Sequence, residues 1–257
     1  MKLLLIYPPD RNLLIGELPK ILEEGIGFVP PIGLLYVAAV VKQRTRWEVE
    51  FMDCAAERLT YEQIGERIRI CGPDAVGITV TNNQLLDCLE IARIVKKINP
   101  AVKVMLGGAH VHIYPRETLA FDFVDFVFTG EAEETAADLL NRWDDPAQYR
   151  FIPGLYYKIS GQIMFGPPAI LHDHLDSLPF PAREVVKQHL YVSPLTEKAT
   201  VTSMITSRGC PFQCIYCARI HLGKHFRARS ADNVVDEMRE CAERGIEYIR
   251  IYDDTFT

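Results

Sequence analysis

Five short apolar segments, spaced over the first 145 residues and alternating with stretches of helical period, constrain the fold of this 257-residue chain more than any other feature. Lys2 to Tyr7, Trp47 to Asp53, Ala75 to Val80, Val102 to Leu106 and Phe123 to Phe128 read as strands. Between them, Gly33 to Gln43 offers Leu34, Leu35, Val37, Ala38 and Val41 as one helical face, and Tyr61 to Ile70 offers Ile64, Ile68 and Cys71. Leu85, Leu89, Ala92 and Val95 recur at the same period, and Glu131 to Trp143 forms the last helix. Short apolar strands separated by helices make a parallel sheet covered on both faces. Right-handed crossovers then give a flavodoxin-like or Rossmann-like sandwich.

Such sheets bind ligands beyond the carboxyl ends of their strands, so the residues after each strand are the candidate site. Pro8-Pro9-Asp10 follows the first, Thr79, Thr81 and Asn82 the third, Gly107-Gly108-Ala109-His110 the fourth, and Thr129-Gly130-Glu131 the fifth. Gly107 and Gly108 would let a ligand approach the backbone, or would simply make a tight turn. Thr79 and Thr81 offer neutral hydrogen bonds. No G-x-G-x-x-G or Walker-type phosphate loop occurs, which argues against a dinucleotide or nucleoside triphosphate.

A net charge of −6 without a basic block argues against nucleic-acid binding. No apolar run reaches 18 residues, so no membrane span is expected. The apolar start Met1 to Ile6 is too short for a signal peptide and reads as the first strand. Seven cysteines without scaffold spacing fit a reducing cytoplasm, with Cys54, Cys71, Cys88 and Cys241 as inert core thiols.

Residues 146–198 read as a surface-lying connector: a β-ribbon turning at Ser160-Gly161, then a stretch broken by prolines. A second unit begins near Ala199. Its strand, Val201 to Thr206, runs into Cys210, Cys214 and Cys217, a C-x3-C-x2-C array on the loop leaving a strand. Three thiolates this close can wrap one metal centre. On a four-iron cluster they leave one iron open for a substrate or cofactor. Zinc held by the three cysteines and His221 or His225 is the alternative, in a non-catalytic binding module. Arg219, His221, Lys224, His225, Arg227 and Arg229 form a basic stretch, read either as a solvated loop or as charge balance for a thiolate-ligated centre. Ser230 is a helix N-cap, Gly245 a helix stop, and Tyr248 to Tyr252 the next strand.

The cysteine array, with Tyr216 before the last thiol, resembles the signature of the radical S-adenosylmethionine (radical SAM) superfamily. A five-strand domain ahead of that signature resembles the cobalamin-binding domain of the superfamily's largest subgroup. Pro30 to Tyr36, Gly107 to His110, Thr129 to Glu131, Leu178 to Arg183 and Asp253 to Thr257 match stretches typical of the subgroup. The resemblance implies a cobalamin-binding-like Rossmann domain over residues 1–145, the connector, and the start of a radical SAM (β/α) barrel over 199–257. It implies that Cys210, Cys214 and Cys217 ligate a 4Fe-4S cluster whose open iron holds S-adenosylmethionine, with Tyr216 near the adenine. One electron would then cleave the sulfonium to a 5′-deoxyadenosyl radical.

Asp253 and Asp254 stand where relatives meet the methionine amine; a structural turn is the other reading. Thr79, Thr81, Gly107, Gly108, His110, Gly130 and Glu131 would line a cobalamin site. The D-x-H-x-x-G motif whose histidine ligates cobalt is absent after the first strand, which leaves His110 and His112 as the nearest candidates. The implied activity is methyl transfer, or radical cyclisation or rearrangement, on a small-molecule substrate with an external donor such as flavodoxin or ferredoxin. The second unit shows one strand-helix-strand repeat of a barrel that needs about six such units, so the sequence reads as the N-terminal part of a longer enzyme.

Overall fold

Alternate residues of a strand face opposite ways, and the five predicted strands use both faces. A computed structural model of the chain describes residues 1–12, 29–192, 199–217 and 225–256. Its main sheet contains β1 (Lys2–Tyr7), β2 (Glu48–Asp53), β3 (Ala75–Thr79), β4 (Lys103–Gly107) and β5 (Phe126–Phe128) in the order β2-β1-β3-β4-β5, all parallel. This is the doubly wound order of flavodoxin-like folds.

Leu4, Ile6, Val76, Ile78, Val104 and Leu106 pack on one face against α2 (Tyr61–Cys71) and α3 (Leu85–Ile98). Leu3, Leu5, Ala75, Met105 and Phe128 pack on the other against α1 (Ile32–Arg44) and α6 (Ala132–Asn141). Two short helices, α4 (Ala109–Ile113) and α5 (Pro115–Leu119), fill the β4–β5 crossover. The caps follow local chemistry: Thr60 and Gln63 form a reciprocal capping box at the start of α2, and Gly72 ends it with a left-handed turn at φ 57°.

In the main sheet the structure departs from the sequence reading at the fifth strand and at the connector. The fifth strand is shorter than Phe123 to Phe128, because the Val124 N–H turns back to the Phe121 carbonyl and the Asp125 carboxylate takes the Val104 N–H that a longer ladder would need. The connector is not surface-lying. Its hairpin, β6 (Leu155–Ile159) and β7 (Gln162–Phe165), adds two antiparallel strands to the main sheet beside β5. Ser160 and Gly161 both have positive φ, 49° and 79°, as a two-residue hairpin turn requires.

Beyond the hairpin, Leu175 and Leu178 cover Tyr36, Val40 and Ala137, which explains why α1 is apolar all round: the sheet covers one side and the connector the other. Tyr191, also buried, donates from its hydroxyl to Asp53 Oδ2 at 2.7 Å at the end of β2.

The second unit pairs β8 (Val201–Met204) in parallel with β11 (Tyr248–Ile251) through α7 (Ala231–Glu243). Ser230 caps α7 by accepting the Asn233 N–H, and Gly245 leaves the helix at φ 73°. A two-residue ribbon, β9 (Ser207–Arg208) with β10 (Arg227–Ala228), follows β8. Cys54, Cys88 and Cys241 are buried and Cys71 partly so, and burial pushes all four thiols above their ordinary range. The described cysteines form no disulfide. No helix among the described residues is long and apolar enough to cross a membrane.

Candidate cofactor site

Where the carboxyl ends of β3 and β4 meet α1, α6 and the second unit, a cavity of about 190 Å³ runs down beside the sheet. Its floor is glycine for a steric reason. A Cβ at Gly77, in mid-strand, would enter that space and lie 2.8 Å from Leu5 Cδ2. Gly108 has φ 110°, and a Cβ there would fall 2.7 Å from the Val80 carbonyl oxygen, so no larger residue fits without moving backbone. The turn is held by Val80 N–H to Gly107 O at 2.7 Å and His110 N–H to Val80 O at 3.1 Å.

Of the residues singled out from sequence, Thr79, Gly107, Gly108, Gly130, Glu131 and Asp254 line this one cavity; Thr81, His110, Asp253 and Tyr216 do not. His110 Nδ1 lies 2.8 Å from Asn82 Oδ1, so the ring donates there, and burial holds its pKa below the ordinary value. His112 Nδ1 accepts the Gly130 N–H at 2.8 Å and thereby shapes the turn after β5. Thr81 donates to the Gln84 side chain at 3.1 Å. Asp253 accepts Thr206 N–H at 2.7 Å, the Thr206 hydroxyl and the Ser207 hydroxyl at 2.8 Å, so it ties β11 to the exit of β8. Asp254 takes part in no hydrogen bond or ion pair among the described residues and faces the cavity.

Two of the arginines that follow the thiols are occupied by the protein itself. Arg227 is buried and pairs with Glu131. Arg229 is buried and pairs with Glu237. Neither lies in a solvated loop, and each already has a carboxylate of this chain as its counter-charge. Arg219, His221 and Lys224 fall outside the described residues. Glu131, read from sequence as a cavity residue, is also the hub of an ion cluster with Arg208 and Arg227. Burial alone would raise its pKa, but the Arg227 hydrogen bond, the Arg208 charge and the His172 N–H outweigh this and hold the carboxyl below its ordinary 4.5.

A depressed carboxylate contributes stability that is present above 4.5 and lost as pH falls through the folded-state value. The thermal midpoint is expected to drop as the pH is lowered below that point. Circular dichroism melts should show a shallower drop for Glu131→Gln, and equal slopes would refute the assignment.

Cys210 is buried and accepts the Thr255 hydroxyl at 3.0 Å, while Cys214 and Cys217 are exposed, as is Tyr216. Among the described residues no three His, Cys, Asp or Glu side chains converge closely enough to hold a metal ion. The donor chemistry fits an iron–sulfur cluster: three thiols without disulfides, on a loop whose first member is anchored and whose other two are accessible. The fourth zinc ligand considered from sequence, His221, is outside the described residues, and His225 is exposed. Sequence reasoning missed Gly77, Arg208, Glu133 and Tyr252, which also line the cavity. A glycine inside an otherwise apolar strand, as at Gly77, was the one available signal.

The B12 binding domain family matches residues 21–140, and the radical SAM superfamily matches residues 204–257. The chain thus carries, in order, a match to the B12 binding domain family and a match to the radical SAM superfamily. It is 34% identical, over its whole length, to an uncharacterized methyltransferase of Pyrococcus horikoshii, of which it covers 54%. It is 27% identical over 98% of its length to cytidylyl-2-hydroxyethylphosphonate methyltransferase of Streptomyces wedmorensis, covering 55% of that protein. The chain thus spans about half the length of these curated relatives. Among solved structures, the radical SAM methyltransferase TsrM of Kitasatospora setae superposes with a TM-score of 0.72 at 18% identity, covering 99% of this chain and 48% of that one. The cobalamin-dependent radical enzyme OxsB gives 0.78 at 18%, over 99% and 34%. At that identity both likenesses concern the fold.

Proposed function

We propose that this chain carries the cofactor-binding half of a cobalamin-dependent radical SAM methyltransferase acting on a small-molecule substrate. The observation behind the reading is the shared cavity. Gly77, Thr79, Gly107 and Gly108 of the parallel sheet face it from one side, and Ser207, Arg208, Tyr252 and Asp254 of the thiol-bearing unit face it from the other. Cys210, Cys214 and Cys217 would hold the cluster, Asp254 would accept hydrogen bonds from the amine of S-adenosylmethionine, and the glycine-floored cavity would take part of cobalamin. Bound there, the cluster would supply the electron that cleaves S-adenosylmethionine, and cobalamin the methyl group.

The chain's own residues perform the positioning. Asp253 fixes the strand exits so that Asp254 points inward. Gly108 opens the backbone, and the apolar wall of Leu3, Leu5, Leu34, Val37 and Met105 excludes water. Methyl transfer is favoured over cyclisation because the relative that matches over the whole chain is a methyltransferase. An external flavodoxin- or ferredoxin-type donor and a cytoplasmic setting complete the reading. Anaerobic reconstitution followed by iron and sulfide analysis, with hydroxocobalamin titration in the visible, tests it. Stoichiometric iron, sulfide and cobalamin are expected. Tightly held zinc without iron would establish the binding-module alternative instead.

A further inference from the structure

Two buried ion pairs hold the ribbon that leads to the cysteines, and Glu131, Glu133 and Arg208 of these pairs line the cavity. Glu131 Oε2 accepts a hydrogen bond from Arg227 Nη1 at 3.0 Å, and Oε1 lies 2.8 Å from Arg227 Nη2 as an ion pair. Glu133 receives Arg208 Nη2 at 2.7 Å, and Arg208 Nη1 lies 3.3 Å from Glu131. The four side chains are between 1% and 8% exposed. Arg208 and Arg227 sit opposite each other in the β9–β10 ribbon, and the Arg208 guanidinium also lies 5.1 Å from the centre of the Tyr36 ring, whose phenol burial pushes up to about 12. Two cations meet two anions, so the cluster is neutral by itself.

A cluster of this kind could serve the fold alone. Its placement says more. Gly130, Glu131, Ala132 and Glu133, the turn from β5 into α6, all line the cavity, as do Ser207 and Arg208. Arg208 stands two positions before Cys210. The turn that an occupant of the cavity would touch is therefore the turn that grips the residue beside the first thiol. A guanidinium fork engaged by two different carboxylates fixes orientation as well as distance.

We propose that Arg208, gripped by Glu131 and Glu133, is a positioning residue that couples the two cofactor sites. This rests on the functional reading above. Filling the cavity with a corrinoid orders the β5–α6 turn, the turn orders Arg208, and Arg208 orders the backbone at Cys210. Coupling of this kind is reciprocal, so assembly of the cluster tightens corrinoid binding by the same factor.

The experiment titrates hydroxocobalamin, followed by its visible spectrum, into the iron-free chain and into the anaerobically reconstituted chain. The dissociation constant is expected to be about tenfold lower in the reconstituted form, inside the usual range for coupled sites. Arg208→Met with Glu133→Gln removes both charges of one pair together and strands neither. In that variant the ratio of the two dissociation constants should fall to within about twofold, whatever loss of hydroxocobalamin affinity is common to both forms. Arg208→Lys keeps the charge but loses the fork and should give an intermediate ratio; it decides the matter if the double variant does not fold. A wild-type ratio near one, or an undiminished ratio in the deciding variant, overturns the coupling alone. Failure of hydroxocobalamin to bind either wild-type form overturns the functional reading and the coupling with it.

Discussion

Replacing Glu237 by leucine is expected to cost about 3–5 kcal/mol of folding stability, the loss typical of stripping one partner from a buried ion network. Glu237 is fully buried on α7 and receives Arg183 at 2.6 Å and Arg229 on its other oxygen. Arg183 comes from the connector and also bonds Thr202 Oγ1 at 3.1 Å and Ser203 O at 2.7 Å on β8. Arg229 also donates to Ile205 O at 2.9 Å. One carboxylate thus serves as the shared counter-charge of two guanidiniums and joins connector, β8 and α7. Leucine would leave both cations buried without a counter-charge. Replacing all three by apolar residues (Arg183→Met, Glu237→Leu, Arg229→Met) should recover most of the loss, because a buried network exchanged whole for apolar packing is often neutral or better. Urea denaturation followed by circular dichroism measures both. A single variant within about 1 kcal/mol of wild type would refute the role given to Glu237.

Gly77→Leu is expected to weaken hydroxocobalamin binding by more than about 100-fold while the chain stays folded. The new side chain would project from β3 into the cavity between Leu5 and Met105. The nearest atom to a Cβ there is the end of the Leu5 side chain, which can rotate, so overpacking should cost only about 1–3 kcal/mol. A cavity already walled by Leu3, Leu5, Leu34, Val37 and Met105 accepts leucine chemically, whereas a ligand needing that volume is shut out. Gly108→Ala is a poorer probe, because its clash is with the Val80 carbonyl and its φ is positive, so fold and binding would fail together. Visible titration of Gly77→Leu with undiminished affinity would show that the ligand does not use this space.

What the sequence determined by itself were the features carried by local pattern. Strand-helix alternation specifies the doubly wound sheet, since a strand buried on both faces must be apolar throughout and a helix must show its period. The three thiols were legible because their spacing is a property of a few consecutive residues. So was the Ser160-Gly161 turn, because two successive positive φ angles are a local demand.

Tertiary structure decided everything that depends on partners distant in the chain. The hairpin became part of the main sheet because β5 had an open edge, which no residue of the hairpin announces. Asp253 and Asp254 look alike in sequence, yet one is spent on Thr206 and Ser207 and the other faces the cavity. Glu131 and Arg227 are 96 residues apart and Arg183 and Glu237 are 54 apart, so the burial of their charges is visible only when the chain has closed. A charged residue reads as solvated until its counter-charge is found, because desolvation is tolerated only in its presence.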